Sequence, residues 1–94
     1  MTRLDNIRID IDTLDKELIK LFEKRMDLVK NVIEYKIKNN IDILDNNREE
    51  YILEKNRKLL KNEKYSEYLD DLFIEIMRIS KNMQNQILKE LSND

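Results

Sequence analysis

Apolar residues recur along the first forty or so positions at helical spacing. Leu4, Ile7, Ile11, Leu14, Leu18, Leu21, Leu28, Val32 and Tyr35 fall on the a and d positions of a heptad repeat, and Arg25 takes one place in the same series. The pattern predicts a first helix from about Asp5 to Asn39. At about 1.5 Å per residue such a helix is roughly 50 Å long. A chain of 94 residues cannot cover that length with its own core. Much of the apolar face is therefore expected to meet another long helix, from a second chain.

Asn39, Asn40 and Asp42 interrupt the repeat. Ile41, Ile43 and Leu44 between and beyond them are apolar, which predicts a loop folded back onto the helices. Asp45 is a suitable N-cap for a second helix running to about Lys61, with Ile52, Leu59 and Leu60 on its inward face. A third helix is expected from about Ser66 to Leu91, with a stripe of Leu69, Leu72, Phe73, Ile76, Ser80, Met83 and Ile87. The chain contains no Gly and no Pro, the residues that a small β-protein needs at its turns. The expected fold is all-α, with one long and two shorter helices in a single domain over residues 1–94.

Charged residues make up 40% of the chain, yet Lys and Arg number 18 against 20 Asp and Glu, and both signs are mixed along every segment. Nucleic-acid binding would leave clustered Lys and Arg, so it is not expected. No apolar run has membrane-spanning length, and the N-terminus does not lead into a signal-peptide core, so a cytoplasmic location away from membranes is expected. The chain has neither His nor Cys. Disulfides, thiol nucleophiles, histidine bases and nearly all zinc sites are thereby excluded. Chemistry is left to Arg, Lys, Asp, Glu, Ser, Tyr, Gln and Asn.

Polar residues sit in or beside each apolar stripe. Arg25 interrupts the first; a guanidinium there is costly unless paired, although its stem can pack while its head reaches water. Asp45, Arg48, Glu49 and Ile52 share one face of the second helix through i, i+3, i+4, i+7 spacing, an arrangement that a cap with surface ion pairs would also explain. Ser80 breaks the third stripe and can bond back to its own helix; Gln84 follows one turn later. Taken together, the cations suit a ligand with carboxylates, and the acids suit a ligand hydroxyl. Arg25 and Lys36 point the same way, roughly 16 Å apart along the axis, so two long side chains can converge on one ligand. Arg8 lies about 25 Å before Arg25 on a different azimuth. If it serves the same ligand, it should come from the partner chain of an antiparallel dimer.

These residues resemble the all-helical (type II) chorismate mutases over nearly the whole chain. The matching pieces are Arg8-x-x-Ile11-Asp12-x-Leu14-Asp15, Leu18-Ile19-x-Leu21-Phe22-x-x-Arg25, Val32-x-x-x-Lys36, Asp45-x-x-Arg48-Glu49 and Ile76-x-x-x-Ser80-x-x-x-Gln84. Any one of them is weak; five in order are specific. The resemblance implies an intertwined homodimer with shared active sites. It implies an isomerase that rearranges chorismate to prephenate, on the route to phenylalanine and tyrosine, without cofactor or metal. Arg25, helped by Ser80, would bind one substrate carboxylate, and Arg8 of the other subunit the second. Lys36 would contact a carboxylate and the ether oxygen, to which Gln84 would also donate. Glu49, with the Asp45 region, would hold the ring hydroxyl, and Arg48 would orient its neighbours and touch the ligand. The chain ends soon after the third helix, so a single-activity enzyme is expected. Isochorismate-pyruvate lyases resemble the same scaffold and are the nearest alternative; a non-catalytic helical dimer module is the other.

Overall fold

Thr2 sets the start of the first helix, α1, which spans Arg3–Lys38. The Thr2 hydroxyl accepts from the Asp5 backbone N–H at 3.1 Å, and the Asp5 carboxylate accepts from the Thr2 N–H at 3.1 Å. This reciprocal capping box satisfies two donors that the first turn leaves open, and it starts the helix two residues before Asp5. The other end closes without glycine. Asn40 takes the left-handed conformation at φ 54°, which Asn tolerates better than most residues. The Asn40 N–H bonds to the Ile37 carbonyl at 3.3 Å and the Ile41 N–H to that of Lys36 at 2.8 Å. That pair of bonds is a Schellman motif, and it ends α1 just beyond Lys36.

The computed structural model describes residues 1–42 and 46–92. The second helix, α2, spans Asn46–Leu59, and the third, α3, spans Ser66–Ser92. A short 3-10 turn at Glu63–Tyr65, capped by the Asn62 side chain, leads into α3. The all-α reading with one long and two shorter helices holds. The second helix stops before Lys61, because Leu60 and the capped turn already redirect the chain. Asp45, Ile43 and Leu44 lie outside the described residues.

α3 is the centre of the fold, packing against both α1 and α2. Ile33 is wholly buried, Met77 and Ser80 are buried, and Met26, Val29 and Ile37 of α1 are partly covered. The covered positions of α1 are offset from the heptad series: Leu28, Val32 and Tyr35 remain exposed beside them. Two expectations need correction. Leu59, the last residue of α2, is 74% exposed, and Ile41 is also exposed rather than folded back. Leu60 and Ile52 are partly covered as expected.

The chain measures 56 × 28 × 15 Å, with a radius of gyration of 17.1 Å; a compact domain of this length has about 12 Å. Its accessible surface is 8347 Å², where a folded monomer of this mass exposes about 5,800 Å². Every residue from 1 to 24 is exposed, including Leu4, Ile7, Ile11, Leu14, Leu18 and Leu21. No described helix is long and apolar enough to cross a membrane.

Candidate active site

Three helical faces converge on one open cleft of about 460 Å³. α1 contributes Arg25, Leu28, Val29, Val32 and Lys36, spaced i, i+3, i+4, i+7 and i+11 along one side of the helix. α2 contributes Arg48, Glu49 and Ile52, and α3 contributes Met77, Ser80, Lys81 and Gln84. Aliphatic side chains and Met77 form the apolar part, and the polar groups stand among them. Among the described residues, no group of acids is gathered as a metal would require.

The best-defined polar contact joins α1 to α3. Arg25 donates from Nη1 to the Ser80 hydroxyl at 2.8 Å, and that hydroxyl donates to the Ile76 carbonyl at 2.9 Å. Ser80 is 6% exposed. Its bond back to the helix, which explains a serine in a stripe without any function, coexists with a role in holding Arg25. The helix turn fixes the hydroxyl, and the hydroxyl fixes the guanidinium.

Burial pushes Arg25 below its ordinary pKa, and the positive charge of nearby Arg48 pushes the same way. An arginine stays cationic in proteins despite such pressure. Two cations from different helices are thus held close at the edge of an apolar cleft. Arg48 also lies over the Tyr51 ring, 5.4 Å from its centroid, with Lys55 on the same ring at 5.8 Å. Glu49, partly covered, forms an ion pair with Lys81 across the gap between α2 and α3. At the far end of α2, Arg57 Nε donates to both oxygens of Asp70 at 2.8 and 3.0 Å.

Of the residues that the sequence singles out, Arg25, Lys36, Arg48, Glu49, Ser80 and Gln84 all line this cleft. Arg8 does not: it lies on the exposed first half of α1, away from the cleft. Asp45 is outside the described residues. Lys81 lines the cleft but is not singled out by the sequence pattern. Its signal is positional, since it follows Ser80 directly and precedes Gln84 by three residues on the same helix.

The fold and the cleft define an all-helical protein with a cleft lined by cations and apolar side chains. Comparison with known proteins identifies the class. The family model for chorismate mutase type II matches residues 7–85. The chain is 36% identical to the chorismate mutase of Methanocaldococcus jannaschii over 92 residues, covering 97% of this chain and 93% of that protein. It is 39% identical over 90 residues to the bifunctional chorismate mutase/prephenate dehydratase of Buchnera aphidicola subsp. Schizaphis graminum, and 35% identical over 98 residues to the T-protein of Haemophilus influenzae. It covers 23% and 26% of those two proteins' lengths, against 95% and 100% of its own. No solved structure matches it. The chain belongs to the type II chorismate mutase family, as its motifs implied, and the enzyme class expected from those motifs is that of this family.

Proposed function

We propose that this chain is a chorismate mutase that converts chorismate to prephenate by a Claisen rearrangement, without a cofactor, at a site completed by a second copy of itself. The observation that carries the reading is the gathering of Arg25, Lys36, Arg48, Glu49, Ser80 and Gln84 in one cleft of a family member.

The reaction breaks one C–O bond and forms one C–C bond in a single step. No proton moves and no nucleophile is needed, so a chain without His or Cys is suited to it. Two contributions remain for the protein. The first is to hold the substrate in its compact reactive conformer, which converts entropy lost on binding into rate. Arg25, fixed by Ser80, grips one carboxylate with a planar fork; the apolar residues on α1 and α2 confine the ring; Glu49 accepts from the ring hydroxyl. The second is to stabilise the ether oxygen, which gains negative charge as its bond to carbon lengthens. Lys36 and Gln84 donate there. Preorganised donors of this kind are typically worth about 10²–10³ in rate.

Arg8 enters from the second copy. The length of α1, its uncovered apolar half, and the roughly 2,500 Å² of surface in excess of a compact monomer support a dimer in which each chain covers the other. The dimer is intertwined and its active sites are shared; one domain, residues 1–94, supplies each chain's part, and the enzyme works in the cytoplasm. The test is direct. The purified protein should consume chorismate, followed by its absorbance, and yield prephenate as the identified product. No turnover by a folded helical dimer, or pyruvate release from isochorismate instead, would overturn the reading.

A further inference from the structure

Lys81 is a charged residue of the cleft that neither the sequence pattern nor the proposed mechanism gives a task. It stands on α3 next to Ser80, and its ammonium pairs with Oε1 of Glu49 on α2. Stability is a poor account of the pair. The two side chains are 39% and 30% exposed, and ion pairs that open to water contribute little to folding.

Position is the better account. Glu49 is the one acid among the described residues lining the cleft, which also holds Arg25, Lys36 and Arg48. A carboxylate on a rotatable side chain is drawn to whichever cation it can reach. Turned toward one of these cations, it would leave the place from which it can meet a ligand hydroxyl. Held by Lys81, it stays on the α3 side of the cleft. One oxygen is engaged by Lys81, and the second is left to accept from the ligand.

We propose that Lys81 is a positioning residue that holds Glu49 for the ring hydroxyl of the ligand. The identity of that hydroxyl rests on the chorismate mutase reading; the placement of Glu49 does not. Acting through Glu49, Lys81 should matter only while Glu49 is present and only for ligands that carry the hydroxyl.

The experiment compares wild type, Lys81→Met, Lys81→Arg, Glu49→Gln and the Glu49→Gln/Lys81→Met double variant, each checked for helicity and dimer mass. A hydrogen bond to a charged acceptor is worth roughly ten- to hundredfold. Lys81→Met should therefore lower kcat/KM for chorismate about tenfold, chiefly through KM, and Lys81→Arg should restore most of it. Lys81→Met added to Glu49→Gln should cost less than about twofold more. Binding of an oxabicyclic dicarboxylate that mimics the transition state is measured in parallel, with and without its ring hydroxyl. Lys81→Met should weaken only the hydroxylated compound. A Lys81→Met enzyme equal to wild type, additive losses in the double variant, or equal weakening of both compounds would overturn the proposal. A wild type that binds the mimic with this pattern but does not turn over chorismate would uphold the positioning role and overturn the functional reading. A folded wild type that neither reacts nor binds would overturn both.

Discussion

The two halves of α1 carry the same heptad pattern and put it to different uses. In the second half the helix lies against α3, and the apolar residues it covers are Met26, Val29, Ile33 and Ile37, none of them a heptad position. The heptad residues there, Leu28 and Val32, face the cleft beside Arg25 and Lys36. In the first half no described residue covers either set, and Leu14 and Leu18 are 63% and 58% exposed. One stripe thus runs from an uncovered apolar face directly into a ligand cleft. If a second chain covers the first half, as proposed, the seam and the wall of the cleft are one continuous surface, and assembly and binding should be coupled.

That comparison can be broken most severely at the uncovered half. Leu14→Asp with Leu18→Asp places two charges where apolar contact with a second copy is proposed, and an unpaired buried charge costs about 3–5 kcal/mol. The dimer should be lost by sedimentation, with activity falling at least about a hundredfold because each cleft loses its Arg8. Lys20→Asp, on the solvated face, should leave both unchanged. A fully active dimer after the double substitution would show that the first half of α1 is not the seam.

The cleft half is tested next. Lys36→Ala and Gln84→Ala should each remain helical and dimeric while losing about 10²–10³ in kcat, since each removes a donor aimed at developing charge. A fully active Lys36→Ala enzyme would remove that residue from the mechanism. The smallest of these effects is expected at Ser80. Ser80→Ala leaves the Arg25 head without its hydroxyl acceptor, and a hydrogen bond to a charged group is worth about 1.5–3 kcal/mol. Part of this returns when the substrate carboxylate binds Arg25, so KM should rise by about tenfold with kcat little changed. A large fall in kcat with unchanged KM would place Ser80 in the chemical step instead.

The three helices and the length of the first were legible from periodicity, since a stripe sustained over many turns has few other interpretations. The side of α1 that meets α3 was not. A heptad series reports where apolar residues concentrate, and on this helix the densest stripe is the one left exposed, while Ile33 is buried beside it. Leu59 misled for a related reason: apolar character at a helix end says nothing of whether another element lies across from it. In the site, Arg25 and Ser80 were legible because a charge and a hydroxyl interrupt apolar stripes. Lys81 was not, because a lysine on a charged surface carries no such contrast, and only the approach of α2 reveals its partner. Arg8 shows the limit from the other side: its place on the exposed half of α1 is readable from the helix rise, but the role proposed for it needs a second chain.

The central claim is that one site is built from two chains, and mixing two inactive variants tests it most directly. Arg8→Ala and Arg25→Ala proteins are each expected to be nearly inactive. After unfolding and refolding together, half the dimers are mixed, and each mixed dimer has one cleft with its own Arg25 and the Arg8 of the other chain. Activity should return to about one quarter of wild type, as random pairing around a two-fold axis requires. No recovery in dimers verified to be mixed would mean that Arg8 does not act across the interface, and the shared-site account would be wrong.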